Sequence, residues 1–100
     1  MAFTFLKRWF TRSPVQRPDL QLIFYTRERC HLCNEALQIL ERYQKQYGFT
    51  LETKNVDESA EWTNAFGNWV PVVEINGKVR FKGHVNEVLL RRVLESEPEA

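Results

Sequence analysis

Apolar positions along this chain recur with two different periods, and each change of period marks an element. Leu20, Leu22, Ile23, Phe24 and Tyr25 make a nearly continuous apolar run up to Thr26. That is the pattern of a central strand buried on both faces, as in parallel or mixed sheets. The period then turns helical: Cys33, Ala36, Leu37, Leu40, Tyr43 and Tyr47 recur on one face, and Gly48 supplies a C-cap. Residues 49–56 read as a second strand, with Phe49, Leu51 and Val56 apolar around a polar middle. A single helix between these strands predicts a right-handed β-α-β crossover. Asp57, Glu58 and Glu61 predict a helix starting near residue 58, with Trp62 and Phe66 in the core and Gly67 at its end. Residues 71–75 and 78–81, joined by Asn76-Gly77, predict a hairpin with a type I′ turn. After Gly83, the positions Val85, Leu89, Leu90, Val93 and Leu94 mark a closing helix to about Glu95. The order is β-α-β-α-β-β-α, an α/β chain.

Composition narrows the class without choosing a function. One hundred residues, 43% hydrophobic and 27% charged, fit one soluble globular domain with a single core. A net charge of +1 argues against nucleic-acid binding, which calls for a clearly basic domain. No apolar run reaches the length of a membrane span. Residues 1–19 stand apart, because Lys7, Arg8, Arg12 and Arg17 all precede the first acidic residue, Asp19. Phe3, Leu6 and Phe10 share a helical face with Trp9 beside it, and Pro14 and Pro18 extend the connection that follows. This basic amphipathic segment reads first as a short helix packed on its own domain, or as a tail. A helix lying on an anionic membrane and a transit-peptide-like leader are the competing readings. Residues 20–100 form the domain. Lys7 and Arg8 interrupt any secretory apolar stretch, so a reducing, cytoplasmic location is the expectation.

The candidate chemistry sits in the two cysteines, Cys30 and Cys33. Two are too few for the multi-bridge framework of small secreted domains, and a C-x-x-C beside a strand–helix pattern reads as a redox motif. At a helix start the first N–H groups are unpaired and the macrodipole is positive, so a thiolate is favoured there. Arg27 and Arg29 add positive charge, which Glu28 partly opposes. Cys30 is therefore the expected nucleophile, and Cys33, one helical turn on, is placed to resolve the mixed disulfide. The plainer alternative is a pair of buried apolar thiols.

The chain resembles the glutaredoxin-like proteins of the thioredoxin-fold superfamily. The residues that carry the likeness are Phe24-Tyr25-Thr26-Arg27, Cys30-His31-Leu32-Cys33, Trp69-Val70-Pro71-Val72-Val73 and Gly83 before the last helix. The likeness covers residues 20–95. It implies a mixed four-stranded sheet flanked by helices, a disulfide oxidoreductase activity, and a cis Val70–Pro71 bond lying against the cysteines. The backbone of Val70 would then pair with an extended substrate as a borrowed strand. It also implies no tightly bound cofactor, with glutathione left open as co-substrate. Partners would be protein or small-molecule disulfides, and a glutathione or thioredoxin-reductase-type electron donor. Three departures stand out. Trp69 replaces the usual Thr before Val-Pro, and Lys82-Gly83-His84-Val85-Asn86 replaces Gly-Gly-x-Asp-Asp. The strand at residues 21–25 also lacks the buried aspartate of thioredoxins.

Around the cysteines, Arg27, His31, Trp69, Val70, Pro71 and Gly83 are the expected substrate-binding positions. His31 either supports the Cys30 thiolate or is an exposed helix-start residue. Trp69 either lines the substrate groove or is a partly buried core indole. Leu32 offers apolar contact surface. Lys82, Arg27 and His84 either bind substrate carboxylates or are solvated charges. Two other classes compete with the enzyme. A C-x-x-C is half a zinc site, with only His31 and His84 to complete it, or it can share an iron–sulfur cluster in a dimer. The third class is an interaction module without chemistry.

Overall fold

The computed structural model describes residues 16–96. The helix, membrane-surface segment or leader expected within residues 1–15 lies outside this range. Strand β1 (Gln21–Thr26) leads into helix α1 (His31–Tyr47) and strand β2 (Thr50–Asn55). A 3₁₀ turn (Val56–Glu58) and helix α2 (Ala60–Phe66) follow, then strands β3 (Val72–Ile75) and β4 (Lys78–Lys82) and helix α3 (Glu87–Glu95). The sheet order is β2-β1-β3-β4, with β1 parallel to β2 and antiparallel to β3, and β3 antiparallel to β4.

The period of two in β1 divides the core into two layers. Leu22 and Phe24 pack with Cys33, Ala36, Leu40, Tyr43 and Tyr47 of α1 and with Leu90 and Leu94 of α3. Ile23 and Tyr25 face the other way, onto Val56, Val72, Trp62 and Phe66. Helices α1 and α3 therefore cover one face of the sheet, and the short α2 covers the other. Because α2 has only seven residues, its cover is thin. Trp62 and Phe66, expected in the core outright, are only half-buried against Tyr25.

Helix ends follow local chemistry more than charge. The acidic residues near 57 drew the expected start of the second helix too early. Asp57 and Glu58 form the 3₁₀ turn, and α2 begins at Ala60, where the side chain of Ser59 accepts from the Trp62 N–H. Gly48 caps α1 in the left-handed conformation, φ 73°. Gly67, by contrast, ends α2 with right-handed φ, −55°. Asn76 and Gly77 have φ of 50° and 85°, as a type I′ turn requires. The closing helix starts at Glu87, capped by the Asn86 side chain, and Val85 is buried just before it.

Arg17, assigned from the sequence to the basic N-terminal segment, is built into the domain. It is 2% exposed. Its N–H donates to Tyr47 O at the end of α1 (2.7 Å). Its guanidinium pairs with both Asp19 oxygens (3.1 and 3.0 Å) and donates to the carbonyls of Val93, Leu94 and Ser96 at the end of α3 (3.1, 2.9 and 2.6 Å).

Tyr25 marks the thin layer with a pH signature. Burial first, and then the charge of Glu74 that its hydroxyl faces at 3.2 Å, push its phenol up to about 12. The unfolded phenol titrates near 10. The folded state therefore holds its proton longer, and the stability this contributes is complete below pH ~10 and lost as pH rises towards 12. Wild-type protein should lose on the order of 2 kcal/mol more than Tyr25→Phe between pH 9 and 12, read as the shift in urea midpoint. Parallel curves for the two proteins would show that Tyr25 carries no such linkage.

Candidate active site

The site forms where β1 runs out. Arg29 takes φ 60°, a left-handed turn that a residue with a Cβ adopts at a cost of about 1 kcal/mol. The chain then delivers Cys30 in an extended conformation as the N-cap of α1. Cys30 and Cys33 are joined by a disulfide, with their Cα atoms 5.1 Å apart. The two sulfurs differ in access. Cys33 is 2% exposed and lies in the main core, whereas Cys30 is half-buried at its edge. The Cys33 N–H donates to Cys30 Sγ at 3.1 Å. An N–H aimed at sulfur, at the positive end of a 17-residue helix, favours negative charge on that atom once the disulfide opens.

The second expected segment, around Pro71, meets the same core: Val70, like Cys30, packs against the edge of the main cluster. The Val70–Pro71 bond is cis, as the resemblance implied. The Gly83 N–H donates to Trp69 O (2.9 Å) and to Pro71 O (2.8 Å), so it straddles Val70. Gly83 itself has φ 84°. Among the described residues, the N–H and C=O of Val70 have no hydrogen-bond partner within the chain. Trp69 is 55% exposed and Leu32 51%. Of the two readings of Trp69, the structure has the exposed indole, with Lys82 Nζ 5.6 Å from its ring centroid.

The charged candidates fall into three groups. His31 lies on the exposed side of α1, with Nε2 3.5 Å from Glu35 Oε1. His84 joins Leu32, Glu35, Ala36, Ile39 and Val85 around a shallow groove of about 140 Å³ beside α1. Arg27 is fully engaged elsewhere. Its Nε and Nη2 pair with Asp57 Oδ2 and Oδ1 (3.0 and 2.8 Å), and Nη1 donates to Gly67 O (3.0 Å). The hydrogen bonds to Arg27 hold the Asp57 carboxyl below the usual carboxylate range, and those to Asp57 raise the Arg27 guanidinium further. Of the two arginines expected to support Cys30, Arg27 thus has its charge paired with Asp57. Neither Asp57 nor Gly67 carries a motif that would have marked it in the sequence. No three His, Cys, Asp or Glu side chains gather into a metal-holding group among the described residues, and there no helix is long and apolar enough to cross a membrane.

A mixed sheet of this order, with a disulfide-forming C-x-x-C at the start of the helix after β1, defines a thioredoxin-fold protein. Solved structures agree. A Nitrosomonas europaea protein solved by solution NMR is 29% identical, covering 74% of this chain and 89% of its own, with TM-score 0.66. An X. campestris protein solved by X-ray is 27% identical, covering 77% and 99%, with TM-score 0.63. The oxidised thioredoxin of Plasmodium falciparum, 22% identical over 80% and 82% with TM-score 0.56, shares the fold. No curated protein sequence matches this chain. Residues 21–95 match the glutaredoxin-like domain, and the chain belongs to that family.

Proposed function

We propose that this protein is a thiol–disulfide oxidoreductase working through the Cys30–Cys33 dithiol. The observation that carries the reading is the unequal access of two bonded sulfurs at one helix start: Cys30 half-buried and hydrogen-bonded by Cys33 N–H, Cys33 buried behind it. In the reduced protein the Cys30 thiolate attacks one sulfur of a substrate disulfide. A Cys30–substrate disulfide forms, and the other substrate sulfur leaves as a thiolate that takes up a proton. The Cys33 thiolate then attacks Cys30 Sγ, forms the intramolecular disulfide and expels the second substrate thiol. The substrate gains two electrons and two protons, and the protein is oxidised by the same two electrons. A thiol donor, glutathione or a thioredoxin-reductase-type protein, returns them. A reducing cytoplasm suits that cycle.

Substrate docks where Val70 leaves a backbone donor and acceptor unpaired next to the exposed Trp69, and Leu32 on α1 offers a second exposed apolar surface. An extended peptide adds there as a short strand, while apolar side chains meet the exposed indole and leucine. Trp69 stands where the resemblance has Thr, and its exposed indole adds apolar contact area for a longer chain, so peptide disulfides are the favoured substrate class.

The test is a titration of the full chain against graded reduced and oxidised glutathione, quenched with acid and read by intact and peptide mass. The expected result is a Cys30–Cys33 disulfide appearing over a defined midpoint, with any glutathione adduct confined to Cys30. If neither thiol responds at any poise, the oxidoreductase reading falls.

A further inference from the structure

The Val70 segment is pinned at two ends. On one side the Gly83 N–H holds the carbonyls of Trp69 and Pro71. On the other, Arg27 Nη1 holds the carbonyl of Gly67 at 3.0 Å, and the Trp69 N–H folds back onto Phe66 O at 2.8 Å. Only three residues separate Gly67 from Pro71, so a shift at Gly67 passes directly to Val70. The arginine that holds Gly67 leaves the end of β1 three positions before Cys30, and its other N–H groups fork onto Asp57 in the 3₁₀ turn after β2. One guanidinium therefore joins three connections: the one carrying Cys30, the one after β2, and the one carrying the docking edge.

We propose that Arg27 is a positioning residue that, with Asp57, sets the Trp69–Val70–Pro71 edge at the distance from Cys30 that a peptide disulfide needs. This rests on the oxidoreductase reading above. Local packing supports the role. Gly67 is buried, and a Cβ there would clash with Thr63 O at 2.5 Å and sit tightly against Arg27 Nη2 at 3.3 Å, so the glycine leaves room for the guanidinium beside the end of α2. The carbonyl that Arg27 grips belongs to the last turn of α2, where a cation also meets the negative end of the helix. The planar fork matters as much as the charge, because it satisfies a carboxylate bidentately and still has N–H left for a carbonyl; a lysine offers no such geometry.

The rival role is electrostatic, with Arg27 lowering the Cys30 pKa through its charge, and the two roles differ in sign. Asp57→Asn leaves Arg27 charged and no longer neutralised. If charge is what counts, the Cys30 thiolate gains and alkylation of Cys30 moves to lower pH. If position counts, that pH profile stays put while binding of a long substrate suffers. Arg27→Lys keeps the charge and loses the fork, so it is silent in the electrostatic role and damaging in the positional one.

The experiment uses the full chain, with dithiothreitol as reductant, on two substrates: a disulfide-linked peptide dimer and the small bis(2-hydroxyethyl) disulfide. The pH profile of Cys30 alkylation by iodoacetamide is read by peptide mass. Both variants should raise KM for the peptide dimer about tenfold, roughly 1.4 kcal/mol of binding, with kcat, the small disulfide and the alkylation midpoint little changed. Thermal unfolding is followed alongside, and Asp57→Asn, which keeps the side-chain shape, decides the matter if Arg27→Lys does not fold. An alkylation midpoint moved to lower pH in Asp57→Asn, with the two substrates affected alike and Arg27→Lys behaving as wild type, would overturn the proposal in favour of charge. An unchanged peptide KM in Asp57→Asn would overturn it outright while leaving the oxidoreductase reading intact. A wild-type protein that reduces neither disulfide would sink both.

Discussion

Replacing Arg17 with methionine should lower the melting temperature by about 10–20 °C, the equivalent of roughly 2–3 kcal/mol for a domain of this size. The guanidinium is 2% exposed and donates to three carbonyls at the end of α3 as well as to Asp19. Methionine fills much of the space and replaces none of those donors. Carbonyls left without a partner cost about 1–3 kcal/mol each when water cannot reach them. The negative end of α3 also loses its cation. Breaking a fully buried ion pair costs about 3–5 kcal/mol, but the Asp19 side chain is 39% exposed, and its carboxylate recovers solvation when Arg17 is gone. Hence the lower figure. Arg17→Lys should recover only part of the loss, because an ammonium cannot span Asp19 and the helix end together. Thermal unfolding of the full chain by circular dichroism measures this; a melting temperature within 2–3 °C of wild type, an effect of under about 1 kcal/mol, would show that the cap is dispensable.

The second large effect is kinetic. Cys33→Ala should stop the cycle at its midpoint, with substrate held on Cys30 through a mixed disulfide. Well-oriented intramolecular attack reaches effective molarities on the order of 10⁵ M or more. No second thiol in the chain replaces Cys33, because Cys30 and Cys33 are its only cysteines. Incubating the reduced variant with the peptide dimer should therefore build up a Cys30 adduct visible by intact mass, while the wild type shows none at steady state. Added glutathione should release it. Alanine suits the site because the Cys33 side chain lies in the apolar core, where a serine hydroxyl would need a partner. If the adduct turns over at the wild-type rate without added thiol, the resolving role of Cys33 is lost.

Much of the fold was legible because its signals are local. The continuous apolar run of β1, the helical period of α1, the Asn76-Gly77 turn and the Gly48 cap each depend on neighbours a few residues away. The C-x-x-C at the strand–helix junction is equally local, as is the Val70–Pro71 pair once the family resemblance is recognised. The misplaced start of α2 shows how close two local signals can come. Negative charge at Asp57 and Glu58 competed with the cap at Ser59, and the cap won because it satisfies an N–H directly.

Long-range pairing is where sequence reading stops. Arg17 reads as one more basic residue of an N-terminal segment, yet besides the nearby Asp19 its guanidinium holds three carbonyls 76 to 79 residues away at the end of α3. Arg27 reads as positive charge for Cys30, yet Asp57 and Gly67, 30 and 40 residues on, take that charge and direct the guanidinium elsewhere. The half-burial of Trp62 and Phe66 likewise reflects how little of the sheet a seven-residue helix can cover. Period, caps and cysteine spacing follow from covalent neighbours, and the amino-acid order alone carries them. Which arginine is buried, which is neutralised and which carbonyls they hold depend on chain segments brought together only by folding. For this protein, the order of residues supplies the elements and the redox pair, and tertiary packing assigns the charges around them.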